Sequence, residues 1–176
     1  MHDHPFTFSN DAAGRMSACD HTVRRTLADL RGLFLDGAAY ERALAQEDAL
    51  LYTVDQNIGA GTAGDLDHGV TVLYPGRVGG EYYMTKGHYH AVRETGEFYY
   101  CLQGEGCMVM ETMAGEASVA RLAPGAALYV APGWAHRLVN TGREPLVALY
   151  VYPGHAGHDY GTIEARGFRK RVVEQG

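Results

Sequence analysis

The chain has 176 residues, with 15 lysines and arginines against 21 aspartates and glutamates, so its formal net charge is −6. This length is typical of one domain with its own core, and the negative charge disfavours a nucleic-acid-binding protein, which needs a basic surface. No stretch is long and apolar enough to span a membrane, the polar start is unlike a signal peptide, and three cysteines without a CxxC pair indicate reduced thiols, so we expect a cytoplasmic protein.

The first part of the chain is expected to contain an arm and one helix. Residues 1–20 are polar and rich in Gly and Ala, and we interpret them as an N-terminal arm, with residues 21–176 as a single domain. The mixed spacing of apolar residues in 21–36 is compatible with a strand with a helical turn, and the assignment of this segment stays open. Residues 37–48 predict a short helix, with Asp36 as a possible N-cap.

From residue 49 onwards the pattern changes to short runs rich in β-branched and aromatic residues. Gly, Pro, Asn or Asp bounds each run, which predicts an all-β sandwich or barrel. The predicted strands lie in 49–56, 69–76, 80–90, 97–106, 107–115, 116–125, 127–133, 135–142 and 146–154. Residues 155–170 predict an irregular loop across the barrel mouth, which ends in a short strand, FRKRVV, at 168–173.

A histidine pair occurs in the stretch TKGHYH. His88 and His90 are two residues apart, and in a strand such residues share one face. Glu97 opens the next strand-like run after a polar turn, and a hairpin would bring it beside the pair. His136 comes from a later turn, APGWAH. Three imidazoles and a carboxylate are a ligand set for a divalent first-row metal with open positions.

These residues resemble the two motifs of the cupin superfamily. In the first, His88-x-His90 is followed by six residues, Glu97, six more and Gly104; in the second, Gly125 precedes Pro132-Gly133, His136 and Asn140. The usual cupin spacing would select Glu94 as the acidic ligand. Glu94 lies in the predicted turn, however, whereas Glu97 opens a strand and has the expected distance to the glycine, so we expect Glu97 to be the ligand.

The long spacing between His90 and Glu97, together with TKGHYH, PGWAHRLVN and GHDYGTI, is similar to the cupin-type glucose-6-phosphate isomerases. This resemblance covers most of residues 22–173. It implies a double-stranded β-helix, or jelly-roll, cupin barrel with a short N-terminal helical segment. It also implies a sugar-phosphate substrate and a homodimer.

One divalent metal ion per chain is the expected cofactor. A His₃Glu set with two open positions suits six-coordinate Fe²⁺, Mn²⁺ or Ni²⁺, and Zn²⁺ could also occupy it although it prefers four ligands. We expect Fe²⁺ first. The metal would bind the oxygens of the open-chain sugar and stabilise negative charge.

The resemblance also implies roles for pocket residues. Glu97 is the candidate base, either through a cis-enediol or alongside a metal-assisted hydride shift, and it could be ligand, base or both. His158 is a candidate acid or base, and Tyr160 is expected to close over the sugar. Tyr99 and Tyr152 are expected to line the pocket, although barrel packing is an alternative for the tyrosines.

The implied phosphate site consists of hydroxyl groups and a backbone N–H, from Tyr52, Thr71, Thr85 and Gly87. Strand alternation would point Lys86 away from this site. We interpret the acidic residues Glu81, Glu105 and Glu111 as charges on the solvent face or rim.

Two other functions remain compatible with the same metal residues. One is a cupin metal-dependent dioxygenase, which would consume oxygen. The other is a non-catalytic cupin that binds a sugar phosphate without turnover, although such a protein has no need of open coordination positions.

Overall fold

The computed structural model describes residues 4–174, in which strands dominate. The helical elements are a 3₁₀ helix at Ala28–Leu30, α1 at Gly37–Gln46 and α2 at Gly161–Arg166. The strands are β1 (His21–Thr26), β2 (Leu50–Asn57), β3 (Leu66–Leu73), β4 (Arg77–Val78), β5 (Glu81–Tyr82), β6 (Tyr89–His90), β7 (Glu97–Gln103), β8 (Gly106–Thr112), β9 (Ala117–Leu122), β10 (Ala127–Val130), β11 (Trp134–Asn140), β12 (Leu146–Pro153) and β13 (His158–Asp159).

The strands form two main antiparallel sheets. The larger has six strands in the order β1-β2-β3-β12-β7-β10, and the smaller has three in the order β11-β8-β9. Two short pairs, β13-β6 and β4-β5, accompany them. Strands that are neighbours in space but distant in sequence, such as β3 and β12, are typical of a jelly roll, which confirms the predicted all-β barrel.

Alternation along the strands separates the interior from the outer face. In β7, Glu97, Tyr99 and Cys101 are buried, whereas Phe98 and Tyr100 are exposed. The interior contains both apolar side chains and the polar residues of the site. The largest fully buried apolar side chains include Leu51, Leu73, Met84, Tyr89, Met108, Leu122 and Leu146.

The N-terminal segment adds cover to the six-stranded sheet. The Arg15 guanidinium and the Met16 backbone N–H both donate to the carboxylate of Asp55 on β2, at 3.0 and 3.1 Å. Met16 also packs with Val70 and Val147 on the outer face of β3 and β12. Residues 1–3 of the predicted arm lie outside the described range.

The first elements agree with the sequence pattern. The region 21–36, whose assignment stayed open, contains a strand with a helical turn after it, β1 and the 3₁₀ helix. Helix α1 is present, and the Asp36 side chain accepts a hydrogen bond from the Ala39 N–H at 2.8 Å, which confirms the predicted N-cap.

Two segments differ from their predictions. The run 80–90 is not one strand, because only β5 and β6 are regular and Gly87 between them has a φ of +76°. The tail 155–170 is not a plain loop, since it contains β13 and α2. The predicted strand at 168–173 is wrong too, because this segment makes only an isolated bridge from Val173 to Glu81.

None of the helices within residues 4–174 has the length and hydrophobicity needed to cross a membrane.

Candidate metal centre and adjoining cavity

Four predicted ligands converge on one point inside the barrel. His88, His90, Glu97 and His136 each offer one ligand atom, and these atoms all lie within 4.8 Å of one another. His90, Glu97 and His136 are buried, and His88 is partly buried. Glu94, the alternative acidic ligand, is exposed and stands apart from the group.

Backbone pairing explains why residues so far apart in sequence meet. His88 and His136 exchange two backbone hydrogen bonds, from the His88 N–H at 3.3 Å and from the His136 N–H at 3.1 Å. Their side chains therefore lie on the same side of this bridge, with ring centroids 4.6 Å apart. His90 follows on β6, and the buried Tyr89 between the two histidines points the other way.

The polar atoms of the centre fit a divalent cation. Oε2 of Glu97 lies 3.0 Å from Nε2 of His90 and 2.7 Å from Nε2 of His136. Nε2 of His88 is buried and has no hydrogen-bond partner among the described residues. A buried nitrogen without a partner, beside two further imidazoles and a carboxylate, matches the ligand chemistry of first-row metals.

The electrostatics of the centre favour a charged carboxylate and a neutral imidazole. Burial alone would raise the pKa of Glu97, but His136, His90 and His88 outweigh it, and the pKa lies well below its usual value. Burial lowers the pKa of His88 well below its usual value, and His136 and His158 lower it further. Glu97 is therefore an anion, and His88 keeps a free lone pair for a metal.

The centre opens into a cavity of about 350 Å³. Of the twelve predicted site residues, ten line this cavity, and the other two, His90 and His136, belong to the metal centre. The structure therefore brings the whole predicted set together. These lining residues are Tyr52, Thr71, Thr85, Gly87, His88, Glu97, Tyr99, Tyr152, His158 and Tyr160.

Hydroxyl groups line the wall of the cavity beyond the metal ligands. Thr85 Oγ1 accepts a hydrogen bond from the Leu138 N–H at 3.0 Å, so the threonine proton remains available to a ligand. The Tyr52 hydroxyl accepts from the Lys86 N–H at 3.4 Å, and burial raises the pKa of Tyr52 to about 12. Tyr52 is therefore a neutral donor at physiological pH.

Gly87 is required by its surroundings. Its φ is +76°, and a Cβ at this position would lie 2.5 Å from the ring of Phe168 and 2.9 Å from Cβ of Arg137. Only glycine combines this conformation with such close packing.

The tail brings two aromatic residues to the cavity mouth. His158 on β13 pairs with His90 on β6, and its ring centroid lies 4.4 Å from that of His88. The ring of Tyr160 stacks on His158 with centroids 5.6 Å apart. His158 is an exposed residue at the cavity mouth, and desolvation of its imidazole by the surrounding protein lowers its pKa.

Two cationic residues in the cavity wall were not assigned from the sequence. Lys86 lines the cavity, contrary to the prediction, because residues 85–88 are not a regular strand and alternation does not apply. Its ammonium pairs with Glu164 of α2. Arg25 on β1 also lines the cavity, and it is paired with Tyr52 across the sheet. Arg25 and Val23 are two residues apart on β1 and share the face that lines the cavity. This spacing is the sequence signal that could have placed Arg25 in the site.

Two of the three acidic residues assigned to the surface are buried. Glu111 is fully buried and accepts from the Arg166 guanidinium at 2.5 Å, while Glu81 accepts from Arg171 at 3.2 Å. Both predictions are wrong because the C-terminal segment, whose packing the sequence pattern did not reveal, covers them and supplies the cations. Glu105 is exposed, as predicted.

Solved structures share the fold. A structure of oxalate oxidase superposes with a TM-score of 0.53 at 12% identity, covering 64% of this chain and 56% of that one. An oxalate decarboxylase from Lactobacillus farciminis gives a TM-score of 0.50 at 21% identity, covering 61% of this chain and 30% of that one. At such identities the likeness shows the fold alone, and the fold is the cupin barrel.

Sequence relatives are much more similar. A glucose-6-phosphate isomerase of Thermococcus gammatolerans is 50% identical over 154 residues, which cover 88% of this chain and 81% of the relative. That of Pyrococcus furiosus is 43% identical over 176 residues, covering 99% and 93%, and that of Sinorhizobium medicae is 38% identical over 165 residues, covering 93% and 77%. The family model described as glucose-6-phosphate isomerase matches residues 24–176. With its ligand cluster and its hydroxyl-lined cavity inside a cupin barrel, the chain belongs to the glucose-6-phosphate isomerase family.

Proposed function

We propose that this aldose–ketose isomerase interconverts glucose 6-phosphate and fructose 6-phosphate in the 350 Å³ cavity, with one divalent metal bound by His88, His90, Glu97 and His136. The observation that carries the proposal is the convergence of these ligands at one end of a cavity whose other wall is hydroxyl-rich. The relatives that share most of the chain bear the name of this activity.

The metal would supply Lewis-acid stabilisation of the negative charge that develops on the sugar oxygens. The donor set does not choose among Fe²⁺, Mn²⁺, Ni²⁺ and Zn²⁺, and Fe²⁺ is our first candidate. His90, Glu97 and His136 are buried, and electrostatic interactions are stronger in a site of lower dielectric constant than in water.

The phosphate of the substrate would bind at the hydroxyl-rich wall. Tyr52 and Thr85 have protons to donate, Thr71 lies beside them, and Gly87 allows close approach of its backbone. Arg25 adds a guanidinium that makes no ion pair with a carboxylate among the described residues. Charge-assisted bonds from guanidinium to phosphate are about twice as strong as neutral ones.

Proton transfer has two candidate residues, Glu97 and His158. Oε2 of Glu97 faces His90 and His136, and burial together with this carboxylate raises the pKa of the neighbouring Tyr99 well above its usual value. A carboxylate with a lowered pKa is a weak base, so this environment favours the ligand role for Glu97. His158, with its ring over His88 and Tyr160 beside it, is then the better candidate for moving the proton. Tyr152 lines the cavity next to His158, with ring centroids 5.4 Å apart.

The first test is a coupled assay of fructose 6-phosphate conversion on chelator-stripped protein, before and after addition of Fe²⁺, Mn²⁺, Ni²⁺ and Zn²⁺ separately. Activity restored by an ion supports the proposal and identifies the working metal. Metal binding without isomerisation would overturn it. Oxygen consumption with a small organic substrate would then favour the dioxygenase, and tight sugar-phosphate binding without turnover would favour the binding protein.

A second copy of the chain is the proposed partner. Pairing across the large sheet aligns Val151 of β12, Phe98 of β7 and Tyr129 of β10 in one row on the outer face. Phe98 is 43% and Tyr129 64% exposed, and β10 is the edge strand. An uncharged aromatic face at a sheet edge is suited to self-association.

We also propose a cytoplasmic location, supported by three free cysteines.

A further inference from the structure

The side chain of Thr95 lies behind His90, on the side opposite the metal ligand atom. Thr95 is buried, with 8% exposure, in the turn that precedes β7. Its Oγ1 lies 2.8 Å from Nδ1 of His90, and its backbone carbonyl oxygen lies 3.1 Å from the same nitrogen. Oγ1 also lies 2.7 Å from the carbonyl oxygen of Val92.

Counting protons fixes the direction of these bonds. A carbonyl only accepts, so the bond between Thr95 and Val92 needs the single hydroxyl proton of Thr95. The hydroxyl oxygen then has only lone pairs left for His90, as does the Thr95 carbonyl. Nδ1 of His90 must therefore carry the hydrogen, and Nε2 has the lone pair that faces Glu97.

The alternative tautomer, with the hydrogen on Nε2, also has a strong hydrogen-bond acceptor within reach. If Nε2 of His90 carried the hydrogen, it would donate to Oε2 of Glu97, 3.0 Å away, in a charge-assisted bond. That bond would engage two metal ligands with each other. Without the hydroxyl acceptor behind Nδ1, only the longer contact with the Thr95 carbonyl would oppose this tautomer.

We infer that Thr95 is a positioning residue, whose hydroxyl fixes His90 in the Nδ1–H tautomer and so keeps Nε2 available to the metal. The inference rests on the proposed metal site. Groups that hydrogen-bond the far nitrogen of a ligating histidine orient the ring and set its tautomer. Here the hydroxyl is itself oriented by the Val92 carbonyl. The turn that connects the ligands His90 and Glu97 therefore also orients His90.

The metal-binding test uses Thr95→Val, which keeps the shape and removes the nearer acceptor, the hydroxyl at 2.8 Å, but leaves the backbone carbonyl at 3.1 Å. Thr95→Ser restores the hydroxyl. Zn²⁺ and Mn²⁺ affinities are measured by competition with a chromophoric chelator. We expect Thr95→Val to bind about tenfold to 100-fold more weakly. Thr95→Ser should stay within about threefold of the wild type, since the same hydrogen bond can form. Thr53→Val is the matched control, because Thr53 is equally buried on β2 but alternates with the cavity-lining Tyr52 and Val54.

The tautomer itself is measured by nitrogen-15 NMR of the histidine rings in metal-free protein. We expect the wild type and Thr95→Ser to carry the His90 proton on Nδ1, and Thr95→Val to shift it towards Nε2. A wild-type His90 protonated on Nε2 would overturn the inference even if Thr95→Val did not fold. Equal metal affinity in the wild type and Thr95→Val would also overturn it. Failure of the wild type to bind any metal would instead overturn the proposed metal site.

Discussion

The Glu97 carboxylate contacts two of the three histidines. Replacing Glu97 therefore tests whether it acts as a metal ligand or as the catalytic base. We predict that Glu97→Gln loses metal affinity by at least about tenfold and loses kcat in parallel, because the neutral amide no longer balances the cation. Metal content by atomic emission and kcat on the same samples measure both. Glu94→Gln, at an exposed position, is the control and should change neither. Full metal content with kcat reduced more than about 100-fold would instead assign Glu97 as the base.

Arg25 is predicted to recognise the phosphate. Arg25→Gln should raise KM for fructose 6-phosphate by about tenfold to 100-fold, the value of a charge-assisted hydrogen bond, with a much smaller change in kcat. The measurement is the steady-state rate on metal-loaded enzyme as a function of substrate. Arg24→Gln is matched in strand and charge but points to the exposed face of β1. Equal KM in the two variants would contradict a contact between Arg25 and phosphate.

At the residue scale, the sequence predicted the groups that spacing can identify. His88, His90, Glu97 and His136 are recognisable because a fixed pattern of turns and strands brings them together. Thr95 was not recognisable in the same way, since its role depends on a hydrogen-bond direction that only coordinates reveal. Glu111 was misassigned because its cationic partner, Arg166, comes from the tail 55 residues away.

At the element scale, prediction succeeded where side chains alternate regularly. The run that became β7 alternates between buried and exposed residues from Glu97 to Leu102. Its predicted start at Glu97 is confirmed, whereas the predicted end at residue 106 lies three residues beyond Gln103. Prediction failed at residues 83–88, where the positive φ of Gly87 breaks the alternation. It failed again at α2, which has only six residues and depends on tertiary contacts rather than on its own propensity.

The attachment of α2 is predicted to depend on Asp159. Its carboxylate accepts from the Thr162 N–H at 3.1 Å and from the Thr162 hydroxyl at 2.7 Å, and it pairs with Arg93. Asp159→Asn should lower the free energy of unfolding by about 1 kcal/mol at neutral pH, a value reduced by solvent screening. Asp159 directly precedes Tyr160, which lines the cavity. The substitution should therefore also raise KM for fructose 6-phosphate. Chemical denaturation and steady-state kinetics measure the two effects.

The stabilisation by Asp159 should also depend on pH. The bonds from Thr162, and then the Arg93 guanidinium, lower the pKa of Asp159 to about 2, against an ordinary value of about 3.9. A lowered folded-state pKa means that the stabilisation is complete above about pH 4 and is lost as the pH falls towards 2. The difference in unfolding free energy between the wild type and Asp159→Asn should therefore shrink across this range. A difference independent of pH would show that the carboxylate charge is not responsible.

At the scale of the whole molecule, the two faces of the large sheet have different surroundings. The inner face lines the cavity, and the N-terminal segment covers the outer face of β2 and β3 and part of that of β12. On the outer face of β7 and β10, Phe98 and Tyr129 remain exposed. The alternation within β7 predicts both faces of that strand, but the sequence does not reveal which outer positions the N-terminal segment covers.

Self-association through the exposed row is predicted to fail when a charge enters it. Phe98→Lys places an ammonium between Val151 and Tyr129, and desolvating that charge in a dimer would cost several kcal/mol. We expect a dimer for the wild type and a monomer for Phe98→Lys in sedimentation velocity at micromolar concentration. Val119→Lys is the control, since Val119 is 44% exposed on the other sheet, and it should remain dimeric. Because Phe98 alternates with the cavity-facing Glu97 and Tyr99, the Phe98→Lys monomer should still bind metal. A dimeric Phe98→Lys would locate the contact elsewhere on the barrel.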